Sequence, residues 1–187
     1  SEGGDNFAIT IMKILPNQVR HVVRVVTTKG KSFPDLADLI REQIFIRKFN
    51  VIKICMDYGG GGNAIQDQLI QTFILDGISF PAIGTKENVL DMGDYDSSKV
   101  IPILEMVHFN IPIIDYMYTT LKADMEHKKI LFPLSIRKDP DLDIETAGKE
   151  FVMLKSELQH ITPKITVRGL PFVANPKIGK DRTTSCV

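Results

Sequence analysis

The strongest constraint on this chain is a short apolar run that ends in an acid and is followed by four glycines. The run is Val51 to Tyr58, its acid is Asp57, and the glycines are Gly59 to Gly62. A run of this kind is typical of a strand that is covered on both faces. An ionised carboxylate at the end of such a strand is costly to desolvate unless a cation or strong donors meet it. Asp57 is therefore the first candidate for a ligand-binding residue.

Predicted strands and helices alternate along the chain, which indicates an α/β domain. Strands are predicted at 7–15, 19–28, 51–58, 101–107 and 164–168. Helices are predicted from a Ser32–Asp35 capping box to Asn50, from Gly62 to a stop at Asp76 and Gly77, from an Asn110 cap to Lys129, and from Leu142 to Ile161. Residues 84–99 are polar and predict a loop, while Gly169, Pro171 and Pro176 should interrupt the last segment. We expect one domain for the 187 residues.

Composition excludes several classes of protein. The chain is 43% hydrophobic and 25% charged, with a formal net charge of zero, which argues against disorder and against a globally basic coat for nucleic acid. The two cysteines, Cys55 and Cys186, form no C-x-x-C pair, so a disulfide scaffold is not expected, and Cys55 is interpreted as a small core residue. No apolar stretch approaches the roughly 20 residues that span a bilayer, so we expect a soluble protein without a membrane partner.

The position of Asp57 leaves more than one interpretation open. Ligands of open α/β sheets collect outside the carboxyl ends of strands, where a metal would meet the carboxylate, but Asp57 could also cap the next helix or mark a turn. Gly59, Gly61 and Ala64 formally match a dinucleotide-binding fingerprint, although an acid so close to the first glycine would repel a pyrophosphate. The glycines could equally form a flexible, tight connection. A Walker phosphate loop is excluded because no G-K-[ST] follows.

A second candidate segment lies near the end of the chain. Its charges are those of one acid, Asp181, among five cations: Lys164, Arg168, Lys177, Lys180 and Arg182. Such a basic strip can neutralise DNA phosphates while its acid binds a metal, or it can be a solvated charged turn. The histidines lack zinc-site spacing, and no G-x-S-x-G motif supports acyl transfer.

Two of these segments together resemble a known family. The run Cys-Met-Asp-Tyr-Gly-Gly-Gly-Gly-Asn-Ala-Ile-Gln-Asp-Gln-Leu around Asp57 and the late Lys-Asp-Arg-Thr-Thr-Ser around Asp181 resemble the C-terminal nuclease domain of the terminase large subunit of tailed bacteriophages, which has a similar domain in herpesviruses. The opening Gly3 to Ile9 is similar to that family's turn between its first two strands. Tyr116 to Lys129 is similar to a variable part of the phage members.

The resemblance implies an RNase H-like fold, with a mixed central β-sheet flanked by helices. It also implies a two-metal endodeoxyribonuclease that cleaves concatemeric viral DNA during genome packaging and leaves 5′-phosphate and 3′-hydroxyl ends. In that family three acids hold two Mg²⁺ or Mn²⁺ ions, and by resemblance Asp57 is the second and Asp181 the third. The first acid belongs to a first strand that we expect upstream of Ser1. Asp5 is the nearest substitute and is interpreted as the loop acid that follows the missing ligand.

The implied partners are double-stranded DNA, the motor's ATPase domain, the small terminase subunit and the portal, in the cytoplasm of a phage-infected host cell. The ATPase domain is not part of this sequence. An alternative from another functional class is a catalytically silent RNase H-like module that binds DNA or docks on the portal. Dinucleotide binding at Gly59 to Gly62 is a third alternative.

Overall fold

Strands and helices alternate in the computed structural model, which describes residues 6–59, 61–91, 99–133, 144–160, 162–165 and 171–174. The predicted α/β class is therefore confirmed. The chain divides into two compact units, which are described separately. The hairpin unit comprises Ser1–Gly30 and Asn110–Val187, and the Asp57 unit comprises Lys31–Phe109.

The described strands form small sheets. In chain order they are β1 (Phe7–Ile14), β2 (Arg20–Thr28), β3 (Ile54–Asp57), β4 (Phe73–Leu75), β5 (Ile78–Phe80), β6 (Ala82–Ile83), β7 (Val100–Ile101), β8 (Leu104–Val107), β9 (Ile130–Leu131), β10 (Thr162–Ile165) and β11 (Pro171–Ala174). The helices are α1 (Phe33–Arg41), continued by a π-helical turn (Glu42–Ile46), α2 (Gly62–Leu69), α3 (Lys86–Asp91), α4 (Ile111–Glu126) and α5 (Ile144–Gln159).

The hairpin unit is built on the predicted pair of N-terminal strands. β1 and β2 pair antiparallel, and β9 adds to β2 in parallel. The inner side chains of β2 pack with those of α4, α5 and β9 into one apolar core, formed by Val22, Val25, Tyr118, Leu121, Ile130 and Leu154. Asn110 caps α4 as predicted, since its Oδ1 accepts from the backbone N–H of Ile113 at 3.0 Å. Hydrophobic burial against a local hairpin thus organises this unit.

The Asp57 unit contains a short parallel layer whose central strand is β8 with its extension β7. β3 pairs with β8, and β6 pairs with β7, both in parallel. The peptide between Ile103 and Leu104 joins the two strand pairs. On one side the N–H of Leu104 donates to Gly84 O at 3.0 Å, and on the other side Ile103 O accepts from Ile54 N at 2.7 Å. Pro102 has no N–H to donate, which fits the break between β7 and β8. β8 therefore lies between β3 and the residues that follow β6.

Helices α1 and α2 pack together in the same unit. α1 begins at the predicted capping box, in which Ser32 Oγ accepts from Asp35 N and the Asp35 carboxylate accepts from Ser32 N. The buried guanidinium of Arg41 donates to Gln68 O at 2.6 Å and to Gln71 O at 3.0 Å, which satisfies carbonyls at the end of α2. This capping fixes α2 against α1, and α2 begins directly after the glycine run.

Several predicted boundaries were wrong. α2 ends at Leu69, and Phe73 lies in a β-hairpin formed by β4 and β5. Asp76 and Gly77, interpreted from sequence as a helix stop, form the turn of that hairpin, with φ of 51° and 78°. Two positive φ values are typical of the type I′ turn that Asp-Gly favours between short apolar runs. The pairing of β4 with β5 therefore occupies the residues that were predicted to form the last turns of the helix.

Two other segments also differ from the prediction. The expected loop at 84–99 contains α3, while residues 92–98 lie outside the described part. The predicted late strand is shifted to Thr162–Ile165, and it pairs antiparallel with β11, whose first residue is Pro171. Proline is tolerated at the first position of a strand, so it does not interrupt the chain there as expected. Within the described residues, no helix is both long and apolar enough to cross a membrane.

Candidate functional site

Asp57 lies at the carboxyl edge of the parallel layer. It is the last residue of β3, and its register partner Val107 is the last residue of β8. The pairing continues one residue further, because Tyr58 N donates to Val107 O at 2.8 Å. Polar side chains at this edge lie where ligands of open α/β sheets collect.

The carboxylate of Asp57 is half-buried and only partly engaged by protein donors. Gly59 N donates to its Oδ1 at 2.9 Å. Within the described part of the chain, Oδ2 has no hydrogen-bond or ion-pair partner. The N–H of Gly59 fixes the orientation of the carboxylate and leaves a second oxygen free to accept. This geometry is compatible with the predicted ligand role, and equally with the turn that the sequence left open.

Two of the four glycines are required by close packing beside Asp57. A Cβ on Gly62 would lie 1.7 Å from the backbone O of Asp57, a distance at which no side chain fits. Gly61 has a φ of +100°, and its Cβ would lie 2.6 Å from the ring of Phe33. The start of α2 is therefore pressed against the end of β3. Steric contact accounts for these two glycines without a bound phosphate.

The outer face of β3 is open, so the expectation of a strand covered on both faces was wrong. Ile54 and Met56 on one face are half-buried, whereas Cys55 on the other face is exposed. Across the strands, Lys53 Nζ lies 2.6 Å from Glu105 Oε2 on the next strand. This exposed ion pair covers part of the outer face in place of a second apolar layer.

Cys55 is therefore not the core residue that the sequence predicted. Partial burial raises the pKa of its thiol above the ordinary value, and Glu105 adds to the effect, while Lys53 opposes it. A thiol with a raised pKa carries little thiolate at neutral pH and is a poor nucleophile.

Tyr58 and His108 form an aromatic pair that sequence reasoning missed. Their ring centroids lie 3.9 Å apart, with the planes tilted by 35°. Tyr58 follows Asp57 directly, and His108 follows Val107, so the pair lies at the same carboxyl edge. The signal was available in part, because Tyr58 is the last residue of one predicted strand and His108 directly follows another. The sequence did not reveal that these two strands are neighbours.

Hard oxygen donors are the ligands that Mg²⁺ and Mn²⁺ prefer, and the Asp57 carboxylate is such a donor at an accessible edge. Its free Oδ2 fits a place in the coordination sphere of a divalent ion. Among the described residues, no three His, Cys, Asp or Glu side chains are grouped closely enough to hold a metal ion. Asp57 is thus the one sequence-predicted metal ligand that the described residues contain.

The other predicted site residues are almost all outside the described part. These are Asp5, Arg168, Lys177, Lys180, Asp181 and Arg182. Lys164 is on β10, where its register partner is Phe172 of β11.

Comparison with known proteins gives one match. Residues 1–92 match the family model described as a terminase RNaseH-like domain. No curated protein and no solved structure matches the chain. The matched segment includes β1 to β6 and, with them, Asp57, Tyr58 and the glycine run. Over residues 1–92 the chain is therefore similar to the terminase RNaseH-like domain family, which supports a terminase nuclease-type domain.

Proposed function

We propose that the domain is a metal-dependent DNA endonuclease that cleaves concatemeric viral DNA during genome packaging. The observation that carries the proposal is the Asp57 carboxylate, which lies at the carboxyl edge of the layer with one oxygen held by Gly59 N and the other free among the described residues. The family match over residues 1–92 supports the same class of domain.

In this proposal Asp57 and Asp181 hold Mg²⁺ or Mn²⁺, with two ions at the complete site. Asp5 is a further candidate ligand. When bound, the ions supply Lewis-acid activation of a water and stabilise charge on the leaving oxygen of the phosphodiester. The chain's own contribution is to orient the Asp57 carboxylate through Gly59 and to fix its backbone against the start of α2.

DNA is the proposed substrate, and the predicted basic strip is the proposed source of phosphate contacts. It consists of Lys164, Arg168, Lys177, Lys180 and Arg182. The zero net charge of the chain fits a domain that takes part of its DNA affinity from the rest of a motor, because affinity rises with the number of phosphates neutralised. The proposed partners are the ATPase domain, the small terminase subunit and the portal, in the cytoplasm of an infected host cell.

The nuclease activity is tested with supercoiled plasmid and the full-length protein. We expect nicked and linear products with Mg²⁺ or Mn²⁺, and intact plasmid when EDTA removes the ions. DNA ligase should reseal the nicks directly, because the expected ends are 5′-phosphate and 3′-hydroxyl. Plasmid that stays intact with both ions but shifts on a gel would contradict the proposal and support the silent DNA-binding module. Cutting that persists in EDTA would contradict the metal requirement.

A further inference from the structure

The start of α2, which lies beside Asp57, is held by packing and not by a side-chain cap. Its cap position is Gly61, which has no side chain to accept from the N–H groups of the first helical turn. Gly62 is pressed against the backbone O of Asp57. The ring of Phe33 lies against Gly61, because a Cβ added there would be 2.6 and 3.1 Å from two of its carbons. These two glycines are therefore in contact with the end of β3 and with the first residue of α1.

The other end of α2 is held by the same helix, α1. The buried guanidinium of Arg41, the last residue of α1, donates to Gln68 O at 2.6 Å and to Gln71 O at 3.0 Å. Phe33 begins α1 and Arg41 ends it, so α1 contacts α2 at both of its ends. With the end at Leu69 anchored by Arg41, Phe33 is the α1 residue that restricts movement at the start of α2.

Two hydrogen bonds connect the start of α2 to the Asp57 carboxylate. Gly62 N donates to Gly59 O at 2.8 Å, and Gly59 N donates to Asp57 Oδ1 at 2.9 Å. A shift of Gly62 is thus passed to Gly59, and from Gly59 to the carboxylate. A metal ligand must be held within about 0.5 Å of its productive position, and the residues behind it supply that precision. The packing at Gly61 therefore affects how well the Asp57 carboxylate is placed for a cation.

We propose that Phe33 is a positioning residue for the metal ligand Asp57. Its ring keeps Gly61 and Gly62 against the end of β3, so that Gly59 N presents the carboxylate in the orientation that binds the ion. The inference rests on the proposed nuclease function and adds to it a residue that acts through Gly61 and not through contact with the ion or the DNA. Because 45% of Phe33 is exposed, loss of its ring should not unfold the protein.

The test compares Phe33→Ala with Phe33→Met, which keeps a long and adaptable apolar side chain. We expect Phe33→Ala to raise the Kd for Mn²⁺, measured by calorimetry, roughly tenfold and to lower kcat for plasmid cutting by a similar factor, as expected for residues that support a metal ligand. KM for plasmid should stay within about twofold, since the ring does not bind DNA. Phe33→Met should restore most of both values. The matched control is Phe45→Ala, which removes a ring that stacks on Phe80 of the β4–β5 hairpin at 4.9 Å in the same unit.

A second measurement needs neither metal nor activity. In metal-free protein, the amide proton of Gly59 should exchange with water roughly tenfold faster in Phe33→Ala, because its bond to Asp57 Oδ1 loosens. The exchange of the same proton should be unchanged in Phe45→Ala. Selective ¹⁵N-glycine labelling and NMR follow it directly.

The two measurements separate this inference from the proposed function. Unaltered Gly59 exchange and an unaltered Kd for Mn²⁺ in Phe33→Ala would overturn the inference. Equal losses in Phe45→Ala would also overturn it, because they would show a general loosening of the unit. Failure of the unaltered protein to bind Mn²⁺ and cut DNA would instead overturn the proposed function, and the exchange of Gly59 would still decide whether Phe33 holds the Asp57 carboxylate.

Discussion

Asp57→Asn is expected to lower the rate of metal-dependent plasmid cutting by more than about 100-fold. Loss of residues that only support metal ligands costs about 10- to 100-fold, so loss of the ligand itself should cost at least as much. The fold should persist, because the amide oxygen of Asn can still accept from Gly59 N as Asp57 Oδ1 does. We expect the unfolding free energy to change by less than about 0.5 kcal/mol. Nicking rates and thermal unfolding together separate the two effects.

The matched control for this substitution is Asp76→Asn. Asp76 is an exposed turn residue with a φ of 51°, a conformation that Asn adopts readily. The two variants lose the same charge from the same unit, but only Asp57 lies at the carboxyl edge. The Asp76→Asn variant should cut plasmid at the same rate as the unaltered protein. Equal rates for both variants would show that Asp57 is not part of the nuclease site.

Gly62→Ala is expected to destabilise the protein by at least about 3 kcal/mol, near the upper end for overpacked sites. The added Cβ would overlap the backbone O of Asp57 at 1.7 Å, and a main-chain atom cannot yield as a flexible side chain can. At about 2–4 °C per kcal/mol for a chain of this size, the unfolding midpoint should fall by roughly 6–12 °C. Circular dichroism measures this change.

The overlap between the added Cβ and the Asp57 backbone would also disturb the Asp57 site, because its relief requires β3 and α2 to move apart. The control is Gly59→Ala, whose Cβ would lie 3.5 Å from Asp57 Oδ1, an ordinary contact distance. We expect Gly59→Ala to unfold within a few degrees of the unaltered protein. A Gly62→Ala protein as stable as Gly59→Ala would contradict the close packing of α2 against β3.

The features that could be predicted from sequence are those that local chemistry determines. The capping box of Ser32 and Asp35 and the Asn110 cap require only neighbouring residues, and both are confirmed. The apolar run before Asp57 likewise predicted β3, because short runs with a defined end leave few alternatives. Asp57 could be identified as a candidate ligand-binding residue because it lies at the end of this short apolar run.

Features that depend on distant partners could not be predicted. The neighbour of β3 is β8, whose first residue Leu104 lies 50 residues after Ile54, the first residue of β3, and no local pattern specifies that pairing. For this reason the Tyr58–His108 pair was missed, and His108 was considered only as a possible zinc ligand. The exposed outer face of β3 has a similar origin, because Lys53 and Glu105 meet only after the strands have paired.

The role of the glycines shows the same limit. Their number and position predicted a tight connection, but the sequence could not distinguish a flexible link from a phosphate-binding loop. The contact that explains Gly62, between an added Cβ and the Asp57 carbonyl oxygen, depends on how α2 packs on β3. At Asp76 and Gly77, by contrast, the Asp-Gly turn signal was present in the sequence, but it was interpreted as the end of a helix and not as the turn of the β4–β5 hairpin.

Asp57 is proposed to bind the divalent ion that is used for DNA cleavage. The most direct measurement is anomalous diffraction from crystals of the full-length protein soaked in Mn²⁺. We predict an anomalous peak at about 2.0–2.3 Å from an Asp57 carboxylate oxygen, with Asp181 among the other ligands. An Asp57 carboxylate without an ion at saturating Mn²⁺, or Mn²⁺ held only by other residues, would contradict it.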